Sequence, residues 1–342
     1  MSHIITIDLA KEVFELAVAN SHYRIIERQR LSRPDFEVFM RQQSPAVIVM
    51  EACGMAHHWG RTFQQAGHQV LLLPAQYVRP YRRRNKTDRA DCEALLEAYR
   101  CDGLKPVAVK TTGQQELQHL HRLREQWKQT RNARFNFLRA VLREQGIFLP
   151  VGNQKALSAA NSALESLSLV SLQLLQPVIA ELKQLEKDLA AIEAQIASMT
   201  RSNPVVQRLR TIPGIGLITS TALVAAIGKA DQFTSGRHLA SWLGITPRES
   251  SSGHRRQLGS ITRQGNPYLR TLLIHGARSV VLSCKRQLKA GKPLNALQAW
   301  VVQLEKRVGH NKATVALANK LARIIWACWS RETDYSPETA TV

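Results

Sequence analysis

Ile4-Ile5-Thr6-Ile7-Asp8 and Val47-Ile48-Val49-Met50-Glu51 decide the fold, because each is an apolar run that ends in a carboxylate. A short apolar run of this kind is typical of a buried strand. A further pair of carboxylates, Asp88 and Asp91, is spaced i,i+3, which places both side chains on one face of a helix. The sequence therefore predicts that four acidic side chains converge on one end of a small α/β domain.

The residues around these runs predict the element order βββαβαβα. The predicted strands span 4–8, 13–19, 23–31, 46–51 and 69–73, and the predicted helices span 34–43, 56–66 and 87–99. This order matches the ribonuclease H-like fold, in which the first strand lies beside the fourth. We therefore expect Asp8 and Glu51 to be neighbours, with the helix that carries Asp88 and Asp91 lying over them.

Clustered carboxylates favour a bound cation, because their mutual repulsion is costly unless positive charge neutralises it. Oxygen ligands select Mg²⁺ or Mn²⁺, and two such ions activate the attacking oxygen and stabilise the leaving oxygen in phosphodiester chemistry. The alternative is that each acid is a solvated surface residue or a helix N-cap. The joint occurrence of all four acids in this element order favours the metal site.

The charge balance predicts a polyanionic partner. In 342 residues, of which 44% are apolar, Lys and Arg number 47 against 26 Asp and Glu, a net charge of +21. Nucleic acid is the expected partner. A membrane surface would also attract this charge, but no segment reaches the roughly 18 apolar residues of a span, and the start of the chain lacks signal-peptide features. The five cysteines form no C-x-x-C pair, so neither a disulfide framework nor a zinc site is indicated.

Two basic segments are candidate nucleic-acid contacts. A possible phosphate clamp precedes the pair Asp88 and Asp91, with Tyr77 and Tyr81 as stacking groups; its cations are Arg79, Arg82, Arg83, Arg84 and Lys86. The segment 117–143 contains one acid, Glu125, among seven cations: Arg122, Arg124, Lys128, Arg131, Arg134, Arg139 and Arg143. Arg124, Lys128 and Arg131 are the expected phosphate contacts. The alternative is an ordinary solvated helix face.

The chain divides by pattern into an α/β domain at 1–110, a helical region at 111–203, a helical domain at 204–330 and a flexible tail at 331–342. Apolar residues in the second region repeat with heptad spacing over about three repeats: Val178, Leu182, Leu185, Leu189, Ile192, Ile196 and Met199. This seam predicts either a helical hairpin within the chain or a subunit interface. Longer helices are predicted at 267–283 and 296–329.

Two short motifs mark the third region. Pro213-Gly214-Ile215-Gly216 precedes an apolar helix at 217–227 and resembles the turn of helix-hairpin-helix modules, in which Gly214 and Gly216 would let backbone N–H groups approach a phosphate. An ordinary tight turn between packed helices is equally consistent. The stretch 247–256 holds Ser250, Ser251 and Ser252 between arginines. It suits a flexible linker, or a phosphoryl-transfer nucleophile assisted by Arg248, Arg255 and Arg256.

Five motifs taken together identify a family. They are Thr6-Ile7-Asp8-Leu9-Ala10-Lys11, Met50-Glu51-Ala52-Cys53-Gly54, Asn85-Lys86-Thr87-Asp88-Arg89-Ala90-Asp91, Ile212-Pro213-Gly214-Ile215-Gly216 and Gly244-Ile245-Thr246-Pro247-Arg248. In this set and order they resemble the DEDD-type insertion-sequence transposases, the "one-ten" family of bridge-RNA-guided recombinases. The resemblance extends from Ile4 to near Trp329.

The resemblance implies a RuvC-like domain that binds Mg²⁺ through Asp8, Glu51, Asp88 and Asp91. It also implies a helical transposase domain whose serine, best matched by Ser252, joins DNA covalently. Donor and target DNA, a noncoding bridge RNA, and assembly as dimers or tetramers follow from the same resemblance. The expected location is the bacterial cytoplasm, at the nucleoid when the protein is active.

Three hypotheses about function remain in view. The first is a recombinase that excises and inserts its own element by strand exchange through a serine–DNA intermediate. The second is a metal-dependent RuvC-like nuclease or Holliday-junction resolvase, which would use the same acids and attack with water. The third is a non-catalytic DNA- or RNA-binding protein, which would leave the four acids without a role.

Overall fold

The computed structural model describes residues 3–82, 88–101, 103–253 and 255–337. It divides into two compact units, Met1–Gly113 and Gln114–Val342. The division falls three residues after the predicted end of the α/β domain, while the predicted boundary between 203 and 204 lies inside the second unit. Within the described ranges, none of the helices combines the length and the apolar character needed to cross a bilayer.

A mixed five-stranded sheet forms the centre of the first unit. Its strands are β1 (Ile4–Asp8), β2 (Val13–Ala19), β3 (Ile25–Ser32), β4 (Val47–Glu51) and β5 (Gln69–Leu73), in the order β3-β2-β1-β4-β5. β2 pairs antiparallel with both β1 and β3, whereas β4 pairs parallel with both β1 and β5. The expected mixed α/β architecture is present, and it is consistent with a ribonuclease H-like domain.

Helices cover both faces of this sheet, which explains why β1 and β4 are apolar at successive positions. The helices are α1 (Arg33–Arg41), α2 (Ala56–Gln65), α3 (Ala75–Val78) and α4 (Asp88–Arg100). Ile5 and Ile7 share one core with Phe36 of α1. Ile4 belongs instead to the core that contains Leu95 of α4. Alternate residues of each strand therefore enter opposite cores.

Helices make up most of the second unit. They are α5 (Thr112–Glu144), α6 (Asn153–Ala163), α7 (Leu169–Thr200), α8 (Pro204–Arg210), α9 (Leu217–Ile227), α10 (Gly236–Trp242), α11 (Pro267–Lys289), α12 (Ala296–Val308) and α13 (His310–Ser330). The single helix expected over 296–329 is wrong, since Gly309 interrupts it. Gly309 adopts φ +83°, a left-handed conformation that glycine tolerates and that ends α12 before α13 begins.

The basic helix α5 and the heptad helix α7 run antiparallel. Arg124, Arg131 and Arg134 pair in that order with Glu193, Glu186 and Glu181, at 2.7, 3.3 and 2.6 Å. The seam residues Leu182, Leu185, Leu189, Ile192 and Ile196 are buried within the chain. Of the two expectations for the seam, the structure thus favours the intramolecular hairpin.

A β-hairpin in the helical second unit is the main feature that the sequence did not predict. Its strands are β6 (Pro247–Glu249) and β7 (Leu258–Ile261), and it carries the three serines that also suited a flexible linker. The described part of the expected flexible tail is attached to the core, because the Tyr335 N–H donates to Thr211 Oγ1 at 2.9 Å. Residues 338–342 of that tail lie outside the described residues.

Candidate functional site

Three of the four predicted acids meet at one edge of the sheet. The pairing of Ile7 with Met50 between the parallel strands β1 and β4 places Asp8 and Glu51 at adjacent strand ends. Asp91, in the first turn of α4, is 7% exposed. Asp88 is the first residue of α4, and its side chain lies outside the described part of the structure.

Arg82 connects two of these acids. One guanidinium nitrogen, Nη2, lies 2.8 Å from Glu51 Oε2, and Nε lies 2.9 Å from Asp91 Oδ1. A single guanidinium thus fixes how close these two carboxylates are. Arg82 was predicted to contact phosphate; here it neutralises the acids. Arg83, Arg84 and Lys86 lie outside the described residues.

Asp8 is linked to the same region through Cys92, the residue after Asp91. Burial is the main cause that raises the pKa of the Cys92 thiol to about 12; a hydrogen bond with the Asp8 backbone lowers this pKa, and the charge of Asp8 raises it by less. The protonated thiol donates to the carbonyl of Glu15 at 3.2 Å. Cys92 is therefore a neutral packing residue. All five cysteines fall in the described ranges and are free thiols.

We call the end of the sheet where Asp8, Glu51 and Asp91 lie the acidic edge. The chemistry of its side chains suits a hard divalent cation. Its ligands are carboxylates, and Asp91 Oδ1 is buried without a hydrogen bond, although it lies within ion-pair distance of Arg82. Among the residues that the structure describes, no group of three or more His, Cys, Asp or Glu side chains is arranged to hold a metal ion. The Asp88 side chain lies outside those described residues, and Arg82 supplies positive charge between Glu51 and Asp91.

The β6–β7 hairpin with its three serines, called the serine hairpin below, has a tightly packed base in which two glycines contact opposite backbone carbonyls. A Cβ added to Gly244 would lie 1.8 Å from the Gln264 carbonyl oxygen, and one added to Gly265 would lie 1.9 Å from that of Trp242. Arg270 Nη1 donates to the carbonyls of Leu243 and Gln264 at 3.1 and 3.2 Å. Both ends of the hairpin are therefore fixed to α11, while the described residues of its tip, 250–253 and 255–257, are exposed.

This tight packing predicts a large stability effect for Gly244→Ala. Gly244 has φ +69°, so alanine would add backbone strain to the clash, and we expect a loss of at least about 2 kcal/mol in the free energy of unfolding. Urea unfolding measures it. The control is Gly259→Ala in β7, whose added Cβ would meet nothing closer than 3.9 Å. Equal stability of the two variants would contradict the tight packing.

The three serines have different surroundings. Ser251 Oγ donates to Glu249 Oε1 at 2.8 Å and accepts from the Gln257 N–H at 3.3 Å. Ser252 pairs with Arg255 through backbone atoms alone, and among the described residues neither the Ser250 nor the Ser252 hydroxyl has a partner. The hydrogen bond from Ser251, followed by Arg256, lowers the pKa of Glu249. Ser251 thus has a structural contact, whereas the Ser252 hydroxyl is available for chemistry.

The turn at 213–216 has a packing explanation. Gly214 has φ +82°, and its added Cβ would lie 2.7 Å from the carbonyl oxygen of Gly276 in α11. Gly216 is exposed at the start of α9, where no side chain caps the helix. The tight-turn interpretation accounts for Gly214, and phosphate contact by Gly214 and Gly216 stays a prediction.

The basic helix is more neutral than its sequence suggested. Lys128 lies 3.5 Å from Glu125, so all three predicted phosphate contacts, Arg124, Lys128 and Arg131, are paired with glutamates. Because glutamates already neutralise these three cations, repulsion among them is not a reason to expect a phosphate partner. Within the described structure, Arg122, Arg139 and Arg143 have no carboxylate partner. In the sequence, the glutamates of α7 were the only indication that the arginines of α5 could be neutralised. Which arginine pairs with which glutamate depends on the antiparallel arrangement of the two helices.

A matched pair of triple variants tests which cations of α5 bind nucleic acid. Replacing the unpaired Arg122, Arg139 and Arg143 with glutamine should flatten the salt dependence of binding by about 0.9 for each phosphate that the helix no longer neutralises. Replacing the paired Arg124, Arg131 and Arg134 should mainly lower stability. Filter binding across a salt series measures the slopes. Flattening by the paired set alone would show that those arginines leave their glutamates for phosphates.

Comparison with known proteins matches both units to transposases. Residues 206–292 match the family described as Transposase IS116/IS110/IS902 family, and residues 5–147 match a DEDD-type IS110 family described as Transposase. A probable family 20 transposase of Pseudomonas aeruginosa is 39% identical, covering 97% of this chain and 98% of the relative. The transposase for insertion sequence element IS1111A of Coxiella burnetii is 34% identical, covering 97% and 91%. A pilin gene-inverting protein of Moraxella bovis is 36% identical over 35% of each chain.

Proposed function

The chain belongs to the IS110 family of DEDD transposases, and from that premise we propose that it excises and inserts its insertion sequence by strand exchange through a serine–DNA intermediate. The observation that carries the proposal is the hairpin, whose Ser252 hydroxyl is exposed and has no partner among the described residues, and which also carries Arg248, Arg255 and Arg256. Guanidinium groups stabilise the charge of a crowded phosphate, and a free hydroxyl is available for attack.

In the proposed step, Ser252 Oγ loses its proton and forms a bond to phosphorus, while the bond from phosphorus to the leaving sugar oxygen breaks. That oxygen takes up a proton. The sugar hydroxyl of a second strand then loses its proton and bonds to phosphorus, while the bond from phosphorus to Ser252 Oγ breaks and the released serine oxygen takes up a proton. No phosphodiester is lost to water, which distinguishes exchange from hydrolysis.

The proposed first domain is RuvC-like, with Asp8, Glu51, Asp88 and Asp91 as ligands for Mg²⁺ or Mn²⁺. Bound metal would supply charge neutralisation at the phosphate. The chain's own contribution is the fixed position of Asp8 and Glu51 on adjacent strand ends and the burial of Asp91. Because Arg82 pairs with Glu51 and Asp91, we propose that it yields these carboxylates to the cation.

The proposed partners are donor and target DNA and, as the family resemblance implies, a structured bridge RNA; the net charge of +21 supports nucleic acid as the partner class without distinguishing DNA from RNA. We also propose a homodimer or homotetramer in which different copies supply the acids and the serine, acting at the nucleoid in the bacterial cytoplasm. The name of the Moraxella relative describes inversion of a pilin gene. Inversion rejoins strands, which favours strand exchange over hydrolysis.

Adduct trapping tests the proposal. Purified protein is mixed with RNA transcribed from the flanking sequence and a donor plasmid, denatured, and run on a gel that separates free DNA from protein-bound DNA. We expect a protein–DNA adduct that survives denaturation and disappears on protease treatment. Cleavage without an adduct would make water the nucleophile and favour the resolvase-like alternative, which has no use for the serine hairpin.

A further inference from the structure

The second unit contains a cavity that neither proposed chemical site uses. Its volume is about 520 Å³, and it lies between α5, α9 and the first turn of α11. Pockets for small ligands typically have volumes of about 300–1,000 Å³. The cavity is therefore large enough for a planar group the size of a nucleobase.

One side of the cavity, its floor, is lined by small apolar side chains. It is formed by Ala222, Ala225 and Ala226 on α9, with Tyr268 of α11 beside them. Alanines on one helical face leave room where larger side chains would fill the space. Such a surface beside an aromatic ring suits a stacked planar group.

Hydrogen bonds fix Tyr268 in place. Its hydroxyl lies 3.1 Å from His121 Nδ1, and His121 Nε2 lies 3.0 Å from Thr221 Oγ1. Thr221 donates its own proton to the Leu217 carbonyl at 2.7 Å, so His121 Nε2 must donate to Thr221, and Nδ1 accepts from Tyr268. The ring at the cavity wall is thus oriented by buried partners.

The two hydrogen-bonded groups of the buried wall, His121 and Tyr268, are uncharged, and the neighbouring Arg124 is paired with Glu193. Burial, with a smaller contribution from Arg124, lowers the pKa of His121 to about 4. Burial is also the main cause that raises the pKa of Tyr268, so both groups are neutral near pH 7. Asn266 accepts the N–H groups of Tyr268 and Leu269 at 3.0 and 3.2 Å, which consumes donors that a phosphate would otherwise use. The interior favours a neutral ligand.

The rim offers amide groups on one stripe of α5. Gln118, Gln126 and Gln129 line it with Arg122 and Glu125, at spacings that share a helix face. Neither Gln118 nor Gln126 has a partner among the described residues, and a glutamine amide carries the donor and the acceptor that pair with a base edge. Arg122 is exposed and has no carboxylate partner within the described structure.

We propose that this cavity holds one unstacked nucleobase of a single-stranded nucleic acid, with Arg122 at the phosphate attached to it. Stacking between aromatic and apolar side chains, with hydrogen bonds to the base edge, is how proteins bind a base taken out of its stack. The inference goes beyond the proposed strand exchange, because binding at this site needs neither Ser252 nor the acidic edge.

The test compares two oligonucleotides of equal length, one with every base present and one with a single central abasic site, in DNA and in RNA versions. Binding to the full chain is measured by fluorescence anisotropy in EDTA, which prevents metal-dependent cleavage. We expect about tenfold tighter binding of the intact strand, the scale of one stacked base. The nucleic acid that shows the larger ratio identifies whether RNA or DNA supplies the base.

Ala226→Leu, which fills the partly buried end of the floor, should reduce this ratio to about one. The control is Ala191→Leu on the exposed face of α7, which should keep the wild-type ratio. Gln126→Ala gives a second variant that leaves the core intact and should lower the ratio. An unchanged ratio in both cavity variants, or no ratio in wild type, would overturn the proposal while leaving the strand-exchange proposal untouched, since no cleavage is measured.

Discussion

Ser252→Ala should abolish the covalent protein–DNA adduct. Replacing the hydroxyl with hydrogen removes the attacking oxygen, and the Ser252 side chain has no described contact whose loss would disturb the hairpin. We expect at least about a thousandfold loss of adduct, the scale seen when a nucleophile is removed. The trapping gel measures the loss, and DNA binding by the same protein should be unchanged.

Ser250→Ala and Ser251→Ala are the matched controls. Ser250→Ala should form the adduct at close to the wild-type rate. Ser251→Ala removes the bonds to Glu249 and Gln257, so it should slow adduct formation by loosening the hairpin without abolishing it. Loss of the adduct in Ser251→Ala alone would shift the nucleophile by one position and make Glu249 a candidate base.

The first unit could be predicted closely because its signals are local. The apolar runs at β1, β4 and β5 are bounded by polar residues, and the predicted strands 4–8, 13–19 and 69–73 match the observed bounds. Parallel pairing of β1 with β4 then follows from the element order, and it places Asp8 beside Glu51. The sequence pattern was therefore sufficient to predict the relative positions of two of the four acids.

Features that depend on distant partners escaped the sequence. The hairpin strands are short and exposed, and β7 contains Gly259 and Ser260, so neither strand has an apolar run to reveal it. Its base is held by Arg270, which follows β7 in α11, and by glycines whose close contacts lie about twenty residues apart. Likewise, Arg82 has an ordinary basic context, and only the folded chain places it between Glu51 and Asp91.

Asp91→Asn should abolish strand cleavage and weaken Mn²⁺ binding. The amide keeps the shape of the carboxylate but loses the charge that a divalent cation requires. Because Asp91 is 7% exposed and paired with Arg82, the change should also cost about 2 kcal/mol in the free energy of unfolding in the absence of metal. Calorimetric titration with Mn²⁺, urea unfolding and a plasmid cleavage assay give the three measurements.

Arg82→Gln separates loss of the ion pair from loss of the metal ligand. It breaks the same ion pair, so a similar loss of stability is expected, but it removes the positive charge that competes with a cation for Glu51 and Asp91, and Mn²⁺ should bind more tightly. Glu93→Gln is the control on the same helix, since Glu93 pairs with Arg28 away from the acidic edge. It should lose stability without changing Mn²⁺ affinity.

Near wild-type recombination by Asp91→Asn would show that the four-acid site is wrong. Weaker Mn²⁺ binding by Arg82→Gln would show that Arg82 supports the cation instead of yielding the carboxylates to it.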